Sequence, residues 1–154
     1  MTVTVSRKQL TPCPALVIRR QTSAADIAKT LSEILPRVFQ HAVKQGIAFA
    51  GPPFTRYVEM GIGLLTVEAG MSIAAPSTDE GDILSVELPG GPVASAIHMG
   101  PYDQLPRTHA EVERWIAETG ARRAGAPWEV YITDPGDVPD PKDWQTEVIY
   151  PLSS

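Results

Sequence analysis

The octapeptide GPPFTRYV at residues 51–58 returns, altered, as GAPWEVYI at residues 125–132. Glycine meets glycine, proline meets proline, an aromatic ring meets an aromatic ring, and Tyr57 meets Tyr131. Five residues ahead of each stretch stands a glycine, Gly46 or Gly120, closing a segment of helical periodicity where a left-handed cap suits glycine best. A chain patterned this way is constrained to build a helix and an equivalent following strand twice.

In the first helix Ile27, Leu31, Ile34, Val38 and Ala42 recur every three or four residues, after a Thr22-Ser23 start and with Asp26 in the first turn. Pro36 lies inside this pattern and should kink the helix rather than end it, since the periodicity continues beyond it. The second helix is expected from about Asp103 to Thr119, with Asp103 as N-cap and Leu105, Val112, Trp115 and Ile116 on its buried face. Pro106 is tolerated there because it falls in the first turn.

Each helix is preceded by two strand candidates, TVTVSRKQL and ALVIRR in the first half, ILSVEL and VASAIHM around PGGP in the second. Each is followed by two more, FTRYVEM and LLTVEAG around GIG, then WEVYITD and WQTEVIY around a proline-rich loop. The reading is one α+β domain over residues 1–154, with pseudo-repeat halves at about 1–75 and 82–151 and helices against an antiparallel sheet. A chain of 154 residues suits one domain and can bury most of its apolar surface unaided.

Thirteen Lys and Arg against 18 Asp and Glu leave a net charge of −5, with no basic cluster longer than pairs such as Arg19-Arg20, which disfavours direct nucleic-acid binding. The lone Cys13 excludes an internal disulfide, and the start MTVTVSRKQL lacks the pattern of a signal peptide, so the expected address is the cytoplasm. Apolar runs such as ALVI at 15–18 are strand-sized, far short of the roughly 20 residues that span a bilayer.

Few motifs carry chemistry. GIG at 61–63 lacks the third glycine of a nucleotide fingerprint and joins strand to strand, so it reads as a turn. His41, His98 and His109 share no ligand spacing with one another or with Cys13, and read as structural or surface residues; neither metal nor cofactor is expected. There is no G-x-S-x-G elbow, and Cys13 sits in TPCP without an activating base nearby in sequence. The loop DPGDVPDPKDW at 134–144 could serve as a ligand lid, but its prolines more often stiffen an exposed connection.

Glu129 stands out as one carboxylate in an apolar, aromatic strand. Alternation puts Glu129 and Tyr131 on one face and Trp128, Val130 and Ile132 on the other; if the second helix covers the latter, the acid lies on the open face. Spacing alone favours a solvated residue, because carboxylates are seldom buried without a partner. The repeat breaks here, however, with Thr55 as the counterpart, and one acid in a quasi-symmetric aromatic site would favour a cationic guest.

GPPFTRYV, EAGMSI, LPGGPVASAIHMGPYDQL, GAPWEVYITDP and WQTEVIYPL together resemble the GyrI-like small-molecule-binding domain, also found as the effector-binding part of AraC-class and MerR-class regulators. The resemblance covers nearly the whole chain. It implies duplicated strand-helix-strand-strand modules, an antiparallel sheet with two helices on one side, and a ligand groove between the halves lined by aromatics and an acid. Glu129 matches that acid, which reverses the solvated reading. Tyr131, Tyr57, Tyr102, Trp144 and Tyr150 are the accompanying candidate ligand-binding residues.

Relatives bind bulky aromatic or cationic drug-like molecules, some resemble hydrolases that open strained cyclopropane rings, and others protect gyrase. The expectation is a cytoplasmic, stand-alone small-molecule-binding domain without a DNA-binding segment. Its alternatives are a hydrolase, in which Glu129 activates water and Tyr131 assists, and a gyrase-interacting protein whose partner surface the sequence does not reveal.

Overall fold

The computed structural model describes residues 3–153. In chain order its elements are β1 (Val5–Leu10), β2 (Cys13–Thr22), α1 (Ile27–Gln45), β3 (Phe49–Met60), β4 (Leu65–Ile73), β5 (Ile83–Leu88), β6 (Gly91–Met99), α2 (Leu105–Thr119), β7 (Trp128–Tyr131) and β8 (Gln145–Pro151). Short 3-10 turns at Tyr102–Gln104 and Pro141–Asp143 precede α2 and β8. The fold is α+β with antiparallel strand pairing, as the periodicities predict. Among the described residues no helix is long and apolar enough to cross a membrane.

Two compact units emerge. One is the continuous segment Pro12–Pro89; the other joins the stretch up to Thr11 to everything from Gly90 onward. The continuous unit orders its strands β3-β4-β2-β5 with α1, and the discontinuous unit orders its own β1-β6-β8-β7 with α2. These units do not coincide with the sequence halves. β1 pairs with β6, in register Val5↔Ala96 to Leu10↔Gly91, and β5 pairs with β2, in register Cys13↔Leu88 to Ile18↔Ile83. Periodicity reads local conformation, whereas the partner of an edge strand is a long-range choice that local pattern does not encode.

In the continuous unit Ile34, Val38 and Ala42 of α1 pack on Leu16 and Ile18 of β2 and Ala69 and Ile73 of β4. The helix runs through Pro36 and ends on Gly46 at φ 70°, whose N–H reaches back to the last turn. At its start Asp26 flanks the first turn without a side-chain cap, and the Ser23 hydroxyl accepts from the Asp26 amide at 3.2 Å. In the discontinuous unit Leu105, Val112 and Ile116 of α2 pack on Ala94 and Ala96 of β6 and Val148 and Tyr150 of β8. This helix ends on Gly120 at φ 75°.

The start of α2 differs from expectation. Asp103 is not its N-cap; it lies in the 3-10 turn, and the helix proper begins at Leu105 behind Gln104. The 3-10 bonds supply the reason: the Gln104 amide donates to the Pro101 carbonyl and the Leu105 amide to the Tyr102 carbonyl, so Asp103 already lies inside a turn and lacks the extended backbone of an N-cap.

Candidate functional site

Register decides which way Glu129 points. Glu129 pairs with Val148 and Tyr131 with Thr146, while Ala96 pairs with Val148 and Ala94 with Tyr150, and directly paired residues share a face. That face carries the core under α2. The helix therefore covers the side of Glu129 and Tyr131, not that of Trp128 and Val130, and the open-face expectation is reversed. The physical reason lies in β6, on the far side of β8, whose small Ala94 and Ala96 let α2 pack closely on this face. Glu129 is only 4% exposed.

A carboxylate so placed loses its hydration and has to be compensated. His109, reaching down from α2, puts Nε2 at 2.6 Å from Glu129 Oε2, and the Tyr131 hydroxyl donates to Oε1 at 3.1 Å. The other ring nitrogen of His109 meets the Tyr150 hydroxyl at 2.7 Å, and that hydroxyl donates to Glu113 Oε1 at 3.1 Å. The Arg123 guanidinium lies over the Tyr150 ring, 4.8 Å from its centroid. Burial, reinforced by the charge of Glu113, pushes the Tyr150 phenol well above the ordinary value for tyrosine. Tyr150 is thus a neutral hydrogen-bond relay under physiological conditions.

Aromatic rings extend the site. Tyr102, in the 3-10 turn, packs edge-on to Tyr131 at 5.6 Å between centroids and lies at 4.8 Å from the Trp144 ring. Burial, then the charges of Asp134 and Glu129, raise the Tyr102 phenol as well. Trp144 is held by its indole N–H, which donates to the Val138 carbonyl at 2.6 Å, and Asp134 Oδ1 accepts from the Gly136 amide at 2.7 Å. The proline-rich loop is therefore tied to itself and to an aromatic anchor, which matches the stiffened-connection reading better than the lid.

Five of the six sequence candidates, Glu129, Tyr131, Tyr102, Trp144 and Tyr150, fall in the discontinuous unit. Tyr57 is a half-buried residue of β3 in the other unit, and Thr55, the counterpart of Glu129, is fully buried on the α1 side through its pairing with Ala69. A second buried acid, Glu68, is 4% exposed on β4; it accepts from Arg19 at 2.9 and 3.2 Å and from Arg56 at 3.3 Å. Both of its oxygens are engaged by guanidinium groups, as in a structural ion cluster. Among the described residues, no three His, Cys, Asp or Glu side chains are grouped as a metal site requires.

The sequence pattern of the GyrI-like small molecule binding domain matches residues 4–153. The chain belongs to the GyrI-like family. No curated protein matches it. The GyrI-like fold recurs in the C-terminal domain of EcmrR, 24% identical with a TM-score of 0.88, where the alignment covers 100% of this chain and 99% of that one. Against EcmrR in its DNA complex the identity is 21% and the TM-score 0.85, covering 99% of this chain but only 58% of that chain. SAV2435 bound to tetraphenylphosphonium is 16% identical with a TM-score of 0.67, covering 100% and 95% of the two chains. A hydrolase from Listeria innocua is 14% identical with a TM-score of 0.65, covering 97% and 91%. At these identities the likeness establishes the fold.

Within this GyrI-like chain, His109, Glu113 and Arg123 were not singled out from sequence. By spacing alone His109 fits no metal site and reads as structural or surface. Yet the stripe that buries Leu105, Val112 and Ile116 includes position 109, one turn after Leu105. A histidine on a buried helical face needs a polar partner, and the buried strand acid provides it. His98 is structural: its ring nitrogens bond Thr108 Oγ1 at 2.7 Å and the Pro101 carbonyl at 3.0 Å.

Proposed function

We propose that this GyrI-like domain binds a bulky aromatic monocation, with Glu129 as the counter-charge and Tyr131, Tyr102 and Trp144 as the ring surfaces. The observation that carries the reading is a carboxylate 4% exposed beside a cluster of half-buried aromatic rings. A desolvated negative charge attracts a cation more strongly than the same charge in water, and ring faces add a quadrupolar contribution. The tetraphenylphosphonium bound by SAV2435 supplies a suitable probe. A net charge of −5 favours such guests over nucleic acid, and a single free Cys13 suits a reducing cytoplasm.

Titration calorimetry with tetraphenylphosphonium and with neutral triphenylphosphine oxide tests the proposal. Glu129→Gln should weaken the cation by about 1–3 kcal/mol, the range of a charge-assisted contact, and leave the neutral compound nearly unaffected. Equal losses for both probes would reject Glu129 as the counter-charge.

A second reading, hydrolysis of a strained electrophile, draws on the Tyr131 hydroxyl standing 3.1 Å from the Glu129 carboxylate. In that reading Glu129 activates water and Tyr131 orients it or donates a proton. Incorporation of labelled water oxygen into product by the native protein, lost in Glu129→Gln with substrate binding retained, distinguishes turnover from binding alone.

A further inference from the structure

Glu129, His109, Tyr150 and Glu113 stand in line, joined by contacts of 2.6, 2.7 and 3.1 Å. Each contact lies between electronegative atoms and so requires a hydrogen of its own. A neutral imidazole brings a single N–H and a phenol a single O–H, while two carboxylates bring none. Three contacts filled from these groups therefore hold one proton more than their neutral ring, phenol and two carboxylates supply. With Tyr150 donating to Glu113, the His109 Nδ1–H donates to the Tyr150 oxygen, and the extra proton sits between Nε2 and Glu129 Oε2.

The described groups around this line bring their own hydrogens or none to it. On β7, Tyr131 donates its own hydrogen to the second oxygen of Glu129. Arg123 faces the Tyr150 ring rather than its hydroxyl, and Tyr102 presents a ring to Tyr131. His98 on β6 directs its nitrogens to Thr108 and Pro101. At the far end Glu113 is exposed, whereas Glu129 is buried.

We infer that an aromatic cation binds at Glu129 in exchange for this proton, which His109 and Tyr150 pass to Glu113 and so to solvent. The inference rests on the proposed cation reading of Glu129. The balance is complete once the exposed Glu113 carboxylate moves off the Tyr150 oxygen, since two hydrogens then serve two contacts. The Nδ1–H bond of His109 breaks as an O–H bond forms on Tyr150. The original Tyr150 O–H breaks as one forms on Glu113, and Glu113 releases that proton to water. Afterwards Nε2–H donates to an ionised Glu129, Tyr150 donates to Nδ1, and the guest's positive charge replaces the one that left. The phenol stays neutral throughout, in keeping with its burial.

Calorimetry in phosphate and in Tris at one pH reads the exchange, because released protons carry each buffer's ionisation enthalpy into the observed heat. The native protein should release about one proton per tetraphenylphosphonium bound, and close to none with triphenylphosphine oxide. Tyr150→Phe removes two of the three contacts, so a neutral His109 fills the one that remains, to Glu129. That variant should bind the cation with almost no proton release although both members of the buried pair remain. His109→Gln should do the same. Buffer-independent heats for cation binding to the native protein would overturn the exchange and leave the binding proposal standing. Undiminished proton release in Tyr150→Phe would equally overturn it, by placing the source elsewhere. If the native protein binds neither probe, the binding proposal falls and the exchange with it.

Discussion

Glu129 and His109 depend on each other. Removing one member of a buried pair leaves the other desolvated and uncompensated, which costs about 3–5 kcal/mol where the site does not relax. His109→Ala should lower the urea midpoint by a corresponding amount, and adding Glu129→Gln to it should recover part of the loss, since the stranded charge is then gone. Thr146 is the opposite case. Its hydroxyl is fully buried beside Tyr131 in the register and finds no hydrogen-bond partner among the described residues. Thr146→Val keeps the shape and should leave stability unchanged or raise it by up to about 1 kcal/mol in denaturant unfolding. At this scale the sequence exposed Glu129 through a broken repeat and Tyr131 through alternation. Its partner escaped notice because a hydrogen bond between a helix and a strand twenty residues on leaves no spacing motif.

Among the elements, the helices and hairpins were legible because each rests on short-range rules. Glycine closes both helices at positive φ, and PGGP joins β5 to β6 as its residues require. The start of α2 was less legible, because a proline near a helix start marks the first turn without telling whether a 3-10 turn precedes it. Glycines with different duties give a graded test. A Cβ at Gly46 or Gly120 meets nothing within 4 Å, so Gly→Ala at either site should cost only the left-handed backbone strain, about 1–2 kcal/mol. A Cβ at Gly70, on β4, would stand 1.8 Å from the Leu16 carbonyl oxygen of β2. Gly70→Ala should therefore be far more damaging than either cap variant, with a clearly lower melting temperature; comparable losses at all three would mean that β2 and β4 yield easily.

Across the whole molecule, two phenols tie stability to alkaline pH. Tyr102 and Tyr150 both titrate above the ordinary value of 10.0 in the folded state, chiefly through burial. Their contribution is complete below the unfolded value and is lost as pH rises through the folded ones, so melting temperature should fall beyond about pH 10. Tyr150→Phe should flatten that decline, and an unchanged alkaline slope would assign it to other groups. Pairing at this scale was the least legible in sequence, because β1 and β5 are short and each lies beside two candidate partners in the repeat. The outcome bears on the order in which the chain can mature as it is synthesised. Everything needed for the continuous unit has been made once Pro89 leaves the ribosome. The Val5↔Ala96 pairing spans that entire unit, so β1, among the first segments made, waits for a partner produced long after it. Until β6 arrives, β1 is an unpaired strand on a nascent chain, and a ribosome stalled shortly after Pro89 would display a finished module carrying a loose, sticky leader.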